Sequence, residues 1–342
     1  MKKLLLFLTA AIFCACGGGN KPASVKINLS GAGATFPQPF YNVVFKSFTD
    51  KTGNPVNYGG VGSGGGIRSL KDKTVDFGAS DAYLSDSELA DMGADVVHIP
   101  TCMGAVVLSY NLKGVDSLRL TGDLIADIYL GKITKWNDAK IKAVNPNISL
   151  PDKTITPVYR SDGSGTTFVF TDYLTKVSPE WATKMGAGKS LNWSVGIASK
   201  GNPGVAGSVS QTDGAIGYIG TEYALALNIP MASLQNSAGN FVKVTTESIS
   251  ASANVELPAD MRIMVTNPSQ NDAYPISCFT YIIVYKKQSY NDRTKQQADA
   301  LIDLLNYVLS PEGQAVAEKL YYAPLPAKAL ANAKTIVNSI EH

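Results

Sequence analysis

The stretch TITPVYRSDGSGTTFVF, residues 154–170, decides how the chain is read. TITPVYR predicts a strand that ends at Arg160. A run of small hydroxylated residues follows, broken by Gly163 and Gly165, and the apolar TTFVF then opens a helix. The same order of strand, small-residue turn and helix recurs three times. VKINL (25–29) leads through GAGATF (31–36) into PQPFYNVVFKSFTDKT. VNYGG (56–60) leads through GVGSGGG (60–66) into IRSLKD. VDFGAS (75–80) leads through DFGASDA (76–82) to a helix announced by the capping box Ser85-Asp86-Ser87-Glu88.

The alternation continues outward. VVHIP, GAVVLSY, GAIGYIG (214–220) and YIIVYKK predict strands; LTGDLIADIYLGKITKW, ADALIDLLNYVL and SPEGQAVAEKLYY predict helices. Strands and helices joined by short turns imply an α/β fold. A chain of 342 residues suffices for two domains. A second region opens near Asn111, and the polar TNPSQNDAYP near residues 264–274 reads as a crossing back.

With 17% charged and 45% apolar residues, the composition is that of a soluble globular protein. The opening MKKLLLFLTAAIFCACGGGN has two lysines, an apolar run too short to span a bilayer comfortably, and then small residues with cysteine. This predicts a bacterial lipoprotein signal over residues 1–15, lipidation at Cys16 and a flexible linker over 16–24; Cys14, which would put bulky Phe13 at the cleavage point, and secretion without lipid are the alternatives. Losing Lys2 and Lys3 with the leader takes the formal charge from +2 to 0. A neutral chain argues against nonspecific nucleic-acid binding. Cys102 and Cys278 then remain, either as a disulfide or as buried free thiols.

Four glycine turns at strand ends point to anion binding. The first amides of a helix lack internal acceptors and carry the positive end of its dipole. Glycine admits a ligand close to the backbone, and Ser and Thr hydroxyls add donors. In open α/β sheets, ligands bind just beyond the carboxyl ends of strands, where these turns lie. Enzyme readings fit less well. Ser63 and Ser164 are outside the G-x-S-x-G pattern, and the two histidines, His98 and His342, offer neither serine an obvious base. No His/Cys cluster has metal-ligand spacing, so neither metal nor cofactor is implied. Gly60-Val-Gly62-Ser-Gly64-Gly65 meets a dinucleotide pattern without its partner acid. Gly186-Ala-Gly188-Lys189-Ser190 ends like a P-loop, but Thr183 stands where its first glycine belongs.

In order along the chain, GAGATFPQP, NYGGVGSGGG, TVDFGASDAYLSD, IYLGKITKWND, RSDGSGTTFVFTDYL, GAIGYIG and SPEGQ resemble the phosphate-binding protein family of bacterial phosphate ABC transporters. The resemblance implies a two-lobed periplasmic-binding-protein fold (type II) with the ligand in the interdomain cleft. Residues 25–109 plus 268–342 would form one discontinuous lobe and residues 110–267 the other. It implies ligand contacts from Thr35, the Phe36 backbone, Ser63, Asp81, Arg160, Ser164, Gly165 and Thr166, with Asp162 pairing with Arg160. Gly64 departs from a serine often found in relatives. The implied protein is not an enzyme and needs no cofactor. It is exported to the cell envelope and lipid-anchored, binds inorganic phosphate as a monomer and delivers it to membrane permease subunits. Another oxyanion such as sulfate or molybdate, a phosphate-ester hydrolase, and a phosphate sensor without a transporter remain as alternatives.

Overall fold

The computed structural model describes residues 26–342; the expected leader, Cys16 and the linker lie outside the described residues. In chain order the strands are β1 (Leu29–Gly33), β2 (Val56–Gly60), β3 (Phe77–Ser80), β4 (Val96–Tyr110), β5 (Arg119–Leu120), β6 (Thr156–Arg160), β7 (Ile197–Ser199), β8 (Ala215–Gly220), β9 (Ser233–Gln235), β10 (Phe241–Val242) and β11 (Ser277–Tyr285). Eight of them form one mixed sheet in the order β2-β1-β3-β11-β4-β8-β6-β7. The short β10, β9 and β5 make a second sheet. Pairing is parallel at each end of the large sheet, within β2-β1-β3 and within β8-β6-β7, and antiparallel where β11 and β4 join them. β4 is shared: its first part pairs with β11, and residues 106–110 pair with β8.

Where VVHIP and GAVVLSY read as two strands, the structure has the single fifteen-residue β4. Pro100 supplies no ladder amide, and the register with β11 shifts there: Pro100 stands opposite Tyr281 and Cys102 opposite Thr280, leaving Thr101 unmatched. The bulge bends the strand without ending it. β1 also differs from its expected position. It starts at Leu29 rather than Val25 and includes the glycines of GAGATF, so only residues from Ala34 onward turn. The cause is close packing between parallel neighbours. A Cβ on Gly33 would lie 2.1 Å from the Ala79 carbonyl oxygen of β3. A glycine-rich strand is what three tightly set parallel strands require.

Two of the strand-and-turn units lead into helices that bury a broad apolar face, whereas the short helix Asp86–Asp91 after β3 buries none of its residues. The helix Gln38–Thr52 buries Phe40, Tyr41, Val44, Phe45 and Phe48. The helix Gly165–Val177 buries Val169, Phe170, Tyr173 and Leu174. The capping box at Ser85 and Glu88 forms as expected, with reciprocal bonds of 3.2 and 2.9 Å. The chain closes with three helices, Lys295–Val308, Pro311–Lys319 and Ala327–Asn338, the last of which the sequence reading did not anticipate. Cys102 and Cys278 are buried free thiols on adjacent strands, each opposite another residue. Among the described residues no helix is long and apolar enough to cross a membrane, and no group of three His, Cys, Asp or Glu side chains is placed to hold a metal ion.

Candidate functional site

The four turns meet at one place, between the β2-β1-β3 end of the sheet and the β8-β6-β7 end. Thr35 and Phe36 follow β1, Ser63 opens the helix Ser63–Lys71 after β2, and Asp81 follows β3. Facing them, Arg160 ends β6, Ser164 caps the next helix, and Gly165 and Thr166 form its first turn. Hydrogen bonds cross directly between the two sides. The Gly165 amide donates to Ser63 Oγ at 2.9 Å, the Thr166 hydroxyl to Asp81 Oδ2 at 3.2 Å, and the Gly64 amide to the Gly163 carbonyl at 2.9 Å. Gly165 is required for this approach, because a Cβ there would stand 2.5 Å from Ser63 Oγ and 2.7 Å from the Asp81 amide nitrogen. All the expected site residues come together, and Thr35, Ser63, Asp81, Arg160, Ser164 and Thr166 are all buried.

Arg160 is the buried cation. Its side chain is 1% exposed and grips Asp162 with both arms: Nε to Oδ1 at 2.8 Å and Nη2 to Oδ2 at 2.6 Å. The fork is thereby fixed in orientation, with Nη1 turned toward Thr166 Oγ1 at 3.4 Å. Burial pushes the Asp162 carboxyl upward, but the bonds and charge of Arg160 and the amide of Gly201 outweigh it and hold the group below the usual range.

Asp81 is the opposite case. Burial pushes it up to about 6, against the Thr280 hydroxyl, the charge of Arg160 and the Thr166 hydroxyl, which hold it down. The Ser80 hydroxyl bonds the Ala82 carbonyl at 2.6 Å and fixes the turn that carries Asp81. Thr280 Oγ1 donates to Asp81 Oδ1 at 2.9 Å. Thr280 sits at the β4–β11 bulge, which sets the local register of its side chain. Glu222 is buried nearby, and burial raises it to about 8. In neutral solution this favours its uncharged form, which limits the negative charge near Asp81.

The site's polarity follows from how its hydroxyls are used. Ser63 Oγ accepts the Gly165 amide, and Ser164 Oγ accepts the Thr167 amide at 3.0 Å. Each hydroxyl keeps its own proton to give, with one further acceptor position open. The first-turn amide of Thr166 has no acceptor within its own helix. Behind the turns, tyrosines hold the backbone: Tyr58 OH bonds the Ala34 carbonyl at 2.7 Å, Tyr322 OH the Phe36 carbonyl at 2.6 Å, and Tyr223 OH the Thr35 carbonyl. Such a site presents donors and one carboxylate to whatever it encloses.

Sequence reasoning missed Asn202, Thr280 and the three tyrosines. Asn202 is buried and bonds both Thr35 and Thr166. A signal for it existed: β7 runs through KGNPG into the helix Gly201–Gln211, a fifth unit of the same design. His98, the one internal histidine, accepts the Leu84 amide at 3.0 Å, and burial lowers it to about 4, so it stays neutral.

Residues 19–312 match the PBP superfamily domain. With its mixed α/β sheet and residues converging between the two ends, the chain has the two-lobed, type II periplasmic-binding-protein fold. A high affinity periplasmic phosphate-binding protein solved with phosphate bound shares that fold at a TM-score of 0.71 and 23% identity, covering 93% of this chain and 99% of that one. Closer in sequence are two proteins named phosphate-binding protein PstS. The one from Xylella fastidiosa strain 9a5c is 42% identical over 319 residues, 91% of this chain and 86% of that protein. The one from Haemophilus influenzae is 40% identical over 322 residues, 93% and 94%. The chain belongs to the PstS family of phosphate-binding proteins.

Proposed function

We propose that this chain captures inorganic phosphate outside the cytoplasmic membrane and delivers it to the permease of a phosphate ABC transporter. The observation that carries this reading is a buried, donor-rich site holding one fixed guanidinium and one carboxylate, Asp81, that forms no salt bridge among the described residues. Phosphate in neutral solution has oxygens that accept hydrogen bonds and at least one that carries a proton. In this reading Arg160, the hydroxyls of Thr35, Ser63, Ser164 and Thr166, and the amides of Phe36 and Gly165 serve the accepting oxygens. The Gly165 amide exchanges Ser63 Oγ for the ligand. Asp81 accepts the ligand's proton. Sulfate has no such proton and would set one of its oxygens against a carboxylate oxygen with no hydrogen between them, which costs more than a good bond contributes.

Asp162 neutralises Arg160, so the anion is held by oriented dipoles more than by net charge. Residues 25–109 with 268–342 form one lobe and 110–267 the other in this proposal, closing on the ligand by a hinge motion at β4 and the return segment. Cys16 carries the lipid that anchors a monomeric, non-enzymatic receptor to the membrane. Equilibrium dialysis of refolded, ligand-stripped protein against phosphate, with and without excess sulfate, tests the reading. Saturable retention of phosphate that sulfate leaves unchanged is expected. Displacement by sulfate, or no retention by folded protein, refutes it.

A further inference from the structure

We propose that Asn202 is the residue that sets the polarity of the site, by making the Thr35 and Thr166 hydroxyls obligate donors before any ligand arrives. The inference rests on reading the site as an oxyanion cage. A threonine hydroxyl is ambivalent: one proton to give and two lone pairs to receive. An anion needs the proton. A hydroxyl that turns its proton toward the protein shows the anion a lone pair instead.

Asn202 removes that choice. Its backbone amide and its Nδ2 each donate to Thr35 Oγ1 at 3.0 Å, which fills both lone pairs and leaves the Thr35 proton to point elsewhere. The second Nδ2 proton goes to Thr166 Oγ1 at 3.0 Å. Arg160 Nη1 supplies the other donor there at 3.4 Å, so the Thr166 proton too is directed outward, in this structure to Asp81 Oδ2. The orientation of the Asn202 amide is itself determined. Gly220, the last residue of β8, donates its backbone amide to Asn202 Oδ1 at 2.9 Å. The flipped side chain would face donor against donor at Gly220 and present an oxygen to both threonines. Every polar group of this fully buried side chain is used, and each use fixes one proton. Thr35 and Thr166 lie on opposite sides of the site, so one amide programs both walls, and the donors are oriented without reorganisation when the anion binds.

The test is a double-mutant cycle on phosphate affinity, measured by calorimetry with inorganic phosphate on the stripped full chain, beside thermal unfolding without phosphate. Asn202→Ala is expected to weaken binding about thirtyfold, as for two hydroxyls each losing about a typical net hydrogen bond. In a Thr35→Val background Asn202 can act only through Thr166, and the same substitution is expected to cost about fivefold. An equal loss in both backgrounds, or a loss that tracks the drop in unfolding temperature, makes Asn202 merely structural and overturns the proposal. Unchanged affinity overturns it as well. Should the alanine chain not fold, Asn202→Ser takes its place in the cycle with the same expectations in direction. Wild-type protein is titrated first. Failure to bind phosphate there refutes the reading of the site, whereas phosphate binding that is indifferent to residue 202 refutes only this inference.

Discussion

Replacing Asp81 by asparagine should stabilise the ligand-free protein while spoiling its selectivity. The wild-type carboxyl is buried and raised from 3.8 to about 6. Folding therefore favours its protonated form. The stability this allows is present below about pH 4 and is lost as pH rises through about 6. Above that, holding the ionised group buried costs about 3 kcal/mol, the equivalent of a shift of about two units. At pH 4.5, where the folded group is mostly protonated, the cost falls to about 1 kcal/mol. The asparagine amide keeps one acceptor for the Thr166 and Thr280 hydroxyls and gives up about 1 kcal/mol on the other. The net expectation for Asp81→Asn is a gain of about 2 kcal/mol at pH 8 that vanishes near pH 4.5. Urea unfolding of ligand-stripped wild type and variant at the two pH values measures it. A variant that is less stable at pH 8, or a difference independent of pH, would refute the account of Asp81 as a strained, ionised acceptor.

Three further expectations follow from the geometry. Arg160→Ala should weaken phosphate binding tenfold or more, the effect of losing a charge-assisted bond of about 1.5–3 kcal/mol; unchanged affinity in a titration removes Arg160 from the site. Lys189 Nζ bonds both carboxylate oxygens of Glu88 at 2.7 Å, tying the residue whose carbonyl accepts the Ser164 amide to the helix after β3. Glu88→Gln should then speed phosphate release severalfold, for a partly buried pair worth about 1 kcal/mol, and a stopped-flow release rate equal to wild type counts against this latch. Cys16→Ser should move the protein from the membrane fraction to the soluble one; continued membrane fractionation contradicts lipidation at that residue.

The strand–turn–helix units were legible because their signals are local: a β-rich run and glycines in each, a side-chain cap at Ser85 and Ser164, and an apolar helical face in Gln38–Thr52 and Gly165–Val177. The capping box at Ser85 is a purely local device and formed as read. What escaped depends on neighbours distant in sequence. β1 shifted onto its glycines because Phe77 and Ala79 press against it from β3. β4 ran through Pro100 because a bulge against β11 absorbed the missing amide. The helix Gly201–Gln211 carries Gly201, Pro203, Gly204 and Gly207, a poor helix by propensity, and is held by Val205, Ala206 and Val209 packed in the core. Asn202 went unread with it. Thr280 carries no local signal at all, since its reach to Asp81 arises from pairing between strands separated by most of the chain.

The most direct test of the central claim is calorimetric titration of stripped wild-type protein and the Asp81→Asn variant, side by side, with phosphate and with sulfate. The account predicts one-to-one phosphate binding and no sulfate response in the wild type, with the gap narrowed in the variant. Selectivity that survives the substitution intact would contradict the claim that Asp81 reads the ligand's proton.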